Sequence, residues 1–231
     1  LGQPELRRFL GLALERDKIV GGAPRLAVAG LAPRDSWSQA PKPRVPEDLY
    51  RPEVALGLAQ GLAKEHKSIA LTFKFPAEQS SKMAKVIEQW QTAAQAGGLD
   101  LKIQPMPLSS RALADAVARH DFDLALLNED HGDSLARVTA LFDRRAEALA
   151  PSGSNVAGVD DNTLSGMIVA MPLSRQFPAL RSQMQNVHVH LVQTMPLIPL
   201  WRHQATYSLG VYRVPSFDPL RPFADIASWR K

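Results

Sequence analysis

Asn128, Glu129, Asp130, His131 and Asp133 crowd an amide, three carboxylates and an imidazole into one short stretch. Side chains of this kind hold a polar ligand by hydrogen bonds and charge. They are the first candidates for ligand contact, with Asn155 in the loop SGSNVAGVDD as a sixth. Each also has an ordinary structural explanation. Asp130 or Asp133 can cap a following helix, and Glu129 can sit in solvent. Asn155 lies among Ser and Gly, where asparagine bonds its own backbone and tolerates a left-handed conformation. Asp160 and Asp161 precede a helical pattern and are read as its cap.

No catalytic set accompanies these residues. The chain has no cysteine, which removes thiol catalysis, disulfides and thiolate metal sites. His188 and His190 would share a face on a strand and could then bind zinc. The surrounding pattern is helical, however, and there positions two apart diverge. Gly-rich phosphate loops, a His-Glu-x-x-His pair and a Gly-x-Ser-x-Gly elbow are all missing. Carboxylates are numerous, yet their order does not locate a general acid–base pair. The expectation is a binding protein, not an enzyme, with no cofactor and no metal.

The polar cluster needs a strand to deliver it. Residues 122–127 read as a buried strand, and in open α/β sheets ligands collect beyond the carboxyl ends of strands. The preceding pattern alternates: helix 52–63, strand 69–75, helix 81–96, strand 99–104, helix 111–119. That order is the signature of βαβ units. In the second helix Met83, Val86, Ile87, Trp90, Ala93 and Ala94 make one stripe, and Gly97-Gly98 supplies a left-handed ending. Ser109 or Ser110 is placed to cap the third.

Outside this core, residues 4–17 carry Leu6, Phe9, Leu10, Ala13 and Leu14 at helical spacing, with Pro4 near the start. Residues 21–52 hold Pro24, Pro33, Pro41, Pro43, Pro46 and Pro52 and read as a long loop. Further helices are expected at 134–149, 161–171 and 178–194, then a short extended segment between Pro196 and Trp201, and a strand at 207–214. Trp201 and Tyr207 read first as packing anchors and second as ligand-stacking groups.

The 231 residues, 45% of them hydrophobic, can form a substantial core. A net charge of +4 is dispersed and too weak to indicate nucleic acid. No apolar run reaches the roughly 18 residues of a membrane span. The chain begins at Leu1, in what already reads as a helix, so an excised piece or a processed product is expected.

These blocks resemble the C-terminal lobe of the family 5 extracellular solute-binding proteins, the receptors of ABC importers for oligopeptides, dipeptides, nickel and related solutes. The stretch PELRRFLGLALERDKIV, with Asp17 as its acidic residue, is similar to the helix at which that family re-enters its second lobe. Tyr50-Arg-Pro-Glu-Val-Ala55 resembles the opening of the next helix, and 69–75 the strand after it. Asp121-Phe122-Asp123-Leu124 resembles the family's aspartate-aromatic-aspartate strand start, and Asp133 stands where it often has aspartate before proline. Ser154-Asn155, Gly158 and Asp160-Asp161 match its serine, asparagine, glycine and aspartate turn, and PLIPLW, residues 196–201, its proline-x-isoleucine-proline-leucine block.

The resemblance implies an α/β fold, one lobe of a type II periplasmic-binding-protein-like architecture with a central mixed sheet flanked by helices. Residues 1–231 would form that single lobe, the first lobe being absent, with the Pro-rich loop 21–52 and a tail at about 205–231 contacting the missing lobe. It implies capture of a small solute, peptide-like above all, between two lobes for import, in the periplasm or outside the cell. The implied partners are the solute, the ABC transporter membrane subunits and the chain's own N-terminal lobe, with dimerisation through the exposed lobe interface and no nucleic acid. Ser134 departs from the family's proline, and Asn128, Glu129, Asp130 and His131 replace its usual aromatics, so the solute is left open. The alternative is a ligand-sensing domain of a cytoplasmic transcription regulator built on the same module.

Overall fold

The computed structural model describes residues 3–20, 25–27, 37–41, 44, 49–128, 141–142, 155 and 158–203. Its centre is the βαβ unit that the sequence periodicity predicts. Helix α3, Pro52–Glu65, leads to strand β2, Ile69–Pro76; helix α4, Ser80–Ala96, returns the chain to β3, Leu101–Leu108. Helix α5, Ser110–Ala118, then leads to β4, Leu124–Ala125. The three strands form a parallel sheet in the order β3-β2-β4.

Chemistry explains each piece. On α4, Met83, Val86, Ile87, Trp90 and Ala94 are buried, the stripe predicted from spacing. The helix stops because Gly98 takes φ 78°, which costs glycine no Cβ clash, and Leu99 N–H then reaches back to the Ala94 carbonyl at 2.9 Å. Ser109 caps α5, its hydroxyl accepting from the Ala112 N–H at 3.3 Å. Central strand β2 buries Leu71, Phe73 and Phe75, whereas β3 alternates buried Leu101 and Ile103 with exposed Lys102 and Gln104. Phe73 meets Trp90 of α4 with ring centroids 5.7 Å apart.

The single helix expected over 4–17 is two. Helix α1 spans Pro4–Leu12 and α2 Arg16–Val20. Buried Arg16 explains the break: its guanidinium donates to the carbonyls of Gly11 (2.9 Å), Leu14 (3.1 Å) and Pro199 (2.7 Å). Two of these carbonyls would otherwise serve a continuing helix, and a buried guanidinium is tolerable only when such acceptors surround it. The Pro-rich loop is also not wholly irregular, since Arg25–Ala27 form β1, antiparallel to β5, Trp201–His203. Among the described residues this pair is a second sheet, apart from the parallel one.

Strand 122–127 is shorter than expected, pairing at Phe73↔Leu124 and Lys74↔Ala125. The expected helix at 134–149, apart from a turn at Leu141 and Phe142, and the strand at 207–214 lie outside the described residues, as does the tail at 205–231. Helix α6, Asn162–Ala170, a 3-10 turn, Met171–Leu173, and helix α7, Phe177–Thr194, agree with their patterns within a residue or two. They build a second core in which Leu164, Ile168, Met184, Val187 and Leu191 enclose Phe142.

Candidate functional site

Because β2, β3 and β4 are parallel, their carboxyl ends lie together. Pro76 is level with Leu108, and Asn128 follows shortly after β4. Asn128 is exposed there, where the sheet offers a ligand its loops and helix starts. Glu129, Asp130, His131 and Asp133 continue from it and lie outside the described residues.

The start of β4 is held by four polar side chains, Thr72 and Lys74 of β2 with Asp121 and Asp123. Thr72 offers both its N–H (2.7 Å) and its hydroxyl (2.8 Å) to Asp123 Oδ2. Lys74, buried on the same strand, sends its ammonium to the Asp121 carboxylate at 2.8 Å and also to the Asp121 carbonyl. The hydrogen bond from Lys74 holds the Asp121 carboxyl below its usual range. The aspartate-aromatic-aspartate segment noted in the sequence thus docks β4 onto β2.

Asn155 is buried with φ 56°. Its amide oxygen accepts from the Val159 N–H at 2.9 Å and its amide nitrogen donates to the Val159 carbonyl at 3.2 Å, so one residue's backbone takes both ends. Gly158, at φ 60°, closes the turn with a 2.7 Å bond to the Asn155 carbonyl. A Cβ on Gly158 would come within 3.4 Å of His120 Nδ1. The Asn155 turn therefore rests near the chain entering β4, while Asn128 leaves its other end.

Asp161 caps α6, accepting from the Leu164 N–H at 2.9 Å, as its position predicts. Its second oxygen does what the sequence does not announce, meeting His190 Nε2 at 2.6 Å. Burial alone would raise the Asp161 carboxyl, but the Leu164 N–H, His190 and the Thr163 N–H together hold it below the usual range. Arg7 of α1 feels the same carboxylate and donates from Nε to the Thr194 carbonyl at 3.3 Å.

His188 and His190 diverge, as a helix requires: His188 instead accepts from the Ala40 N–H at 3.1 Å. Among the described residues no three His, Asp or Glu side chains gather as a metal would need, and no helix is long and apolar enough to cross a membrane. The ion pair Lys74–Asp121, the hydrogen bond between His190 and Asp161 and the buried Arg16 were not singled out from sequence. A lysine in the middle of an apolar strand was the one local signal available.

The arrangement is therefore one of a structural ion pair, a histidine–aspartate hydrogen bond and capped helices, with Asn128 exposed after β4. A parallel sheet flanked by helices fits one lobe of the periplasmic-binding-protein fold, the class that the sequence blocks resemble. No protein-family model matches the chain, and no curated protein matches it by sequence. Solved structures do match. The murein tripeptide binding protein MppA of Escherichia coli superposes with a TM-score of 0.68 at 16% identity, over 87% of this chain and 39% of that one. OppA of Haemophilus influenzae, in complex with RPPGFSPFR, matches with a TM-score of 0.68 at 15% identity, over 86% of this chain and 39% of that one. The oligopeptide-binding protein AppA of Bacillus subtilis, in complex with a nonapeptide, gives 0.69 at 14% identity, over 98% and 47%. The chain thus spans less than half the length of these proteins.

Proposed function

We propose that this chain forms the C-terminal lobe of a solute-binding receptor that captures a small, peptide-like solute for an ABC importer. The observation that carries the reading is the fold match over 87% of the chain to a protein of which it spans 39%, the proportion of one lobe. The neighbours' own ligands, a murein tripeptide, RPPGFSPFR and a nonapeptide, favour a peptide-like solute. Asn128 and the residues after it line this lobe's wall of a cleft, and a second lobe supplies the other wall. Closure over the solute, stabilised by contacts that form only in the closed state, reports occupancy to the transporter's membrane subunits. The site of action is the periplasm or cell exterior, and the role is binding without chemistry.

A single wall surrounds too little of a ligand for tight binding, since small-molecule sites cover ~70–90% of the ligand surface. Titration of the isolated chain with tri- to nonapeptides, followed by amide NMR, should show weak binding, with Kd of about 1 mM or above. The shifting signals should cluster at Asn128 and at the adjoining ends of β2 and β3. Submicromolar binding, or shifts confined to other faces, would overturn the half-cleft reading.

A further inference from the structure

His188 sits on α7 with 4% of its surface exposed, one of few buried polar residues in the described chain. Its Nδ1 accepts the Ala40 N–H at 3.1 Å. A neutral imidazole carries one N–H, so its proton is on Nε2, and among the described residues that buried nitrogen has no hydrogen-bond partner. The bond belongs to a larger attachment. Residues 37–41 and 44 lie along α7, with the Trp37 ring 5.3 Å from that of Phe177 and Arg44 Nη2 donating to Asn186 Oδ1 at 2.7 Å.

A second proton on this ring must go to Nδ1, where the Ala40 N–H already points. Two donors would then face each other, and a cation would occupy an apolar site beside Val187 and Leu191. Among the described residues, the charged groups of the surrounding elements are engaged elsewhere or exposed. Arg44 is bound to Asn186, Asp161 at the head of α6 to Leu164 N–H and His190, and Arg7 of α1 to the Thr194 carbonyl. Arg181 on the same helix is exposed. None of them acts on His188, and burial alone pushes its imidazole down from 6.5 to about 4.

We propose that His188 is an acid-sensitive latch: neutral, it holds residues 37–41 on α7 through the Ala40 amide, and protonated, it releases them while the β2 core stays folded. The direction follows from linkage. A histidine whose attached-state pKa is depressed contributes its full stability above its free value. That contribution falls as pH drops through the window from 6.5 to about 4, by about tenfold in the opening equilibrium per pH unit.

Amide hydrogen exchange on the whole 231-residue chain tests this. Protection factors, corrected for intrinsic exchange, would be read from about pH 7 down to about pH 4.5. The Ala40 amide should lose protection by about tenfold per pH unit while the Phe73 amide in β2 keeps its own. In His188→Asn, whose side-chain oxygen can stand where Nδ1 stands and does not titrate, Ala40 protection should be flat with pH. Constant protection at Ala40 in the natural chain, loss in step with Phe73, or the same pH profile in His188→Asn would each overturn the latch. So would a nitrogen NMR spectrum placing the neutral ring's proton on Nδ1.

Discussion

Lys74 Nζ and Asp121 Oδ2 stand 2.8 Å apart in a lopsided pair, the lysine side chain 9% exposed and the aspartate 65%. The lysine occupies a position on β2 between buried Phe73 and Phe75, where an ammonium without acceptors would be costly. Its partner comes from the segment that starts β4, so the need to satisfy this charge helps to set where β4 docks. An exposed partner gains little from the Coulomb term itself, because water screens it.

Asp121→Ala should therefore destabilise the chain by leaving Lys74 with the backbone carbonyl of residue 121 alone. Lys74→Met should restore most of the loss, because the cost lies in the stranded charge. Urea midpoints of the two single variants and the double variant check this. Strict additivity of the single effects would show that the pair is not coupled. The Asp121 carboxyl lies below its usual range, so its contribution is present above the ordinary aspartate pKa and is lost as pH falls through its folded value.

Asp161→Ala removes both the α6 cap and the partner of His190, and should cost about 1 kcal/mol for the cap plus the loss of the His190 hydrogen bond. Asp161→Asn keeps an oxygen for the Leu164 N–H and should lose only the second part. Thermal denaturation near neutral pH should order the three proteins as natural chain, Asn variant, Ala variant. As the folded carboxyl is again depressed, the difference should shrink in acid, below the ordinary aspartate range.

Arg16→Lys should be strongly destabilising despite the retained charge. A planar guanidinium reaches the carbonyls of Gly11, Leu14 and Pro199 at once, and an ammonium lacks that fork. Each buried carbonyl left unpaired costs ~1–3 kcal/mol. The variant should unfold at lower urea, and the amide of Ala13, which bonds the Phe9 carbonyl where α1 ends, should exchange faster. Unchanged stability would mean that the break between α1 and α2 has another cause.

Gly97→Ala probes the seam between α3 and α4. Its Cβ would lie 2.4 Å from Ala59 Cβ and 3.2 Å from the Ala59 carbonyl carbon, closer than the backbone can relieve without moving a helix. A loss of ~1–3 kcal/mol in urea denaturation is expected, with the m-value unchanged. Gly57→Ala, with nothing within 4 Å of the added methyl, serves as the control and should be neutral or stabilising.

The βαβ core was legible because its signals are local. The stripe from Met83 to Ala94, the Gly97-Gly98 ending, Ser109 and Asp161 as caps, and the helical divergence of His188 and His190 each depend on residues within a turn or two. The candidate contacts were legible only in part. Asn128 does follow β4 at the carboxyl end of the sheet, and Asn155, read first as a turn residue, bonds the Val159 backbone with its amide.

By itself the sequence determined the order of helices and parallel strands, their caps and the class of fold, because hydrophobic period and turn chemistry act between near neighbours. Only the tertiary structure decided that Arg25–Ala27 would pair with Trp201–His203, that Arg16 would end α1, that Lys74 would take Asp121 and that His190 would take Asp161. These partners are far apart in the chain or belong to separate elements. Their meeting depends on how whole elements pack and on the need of each buried polar group to find an acceptor, and no local pattern records either.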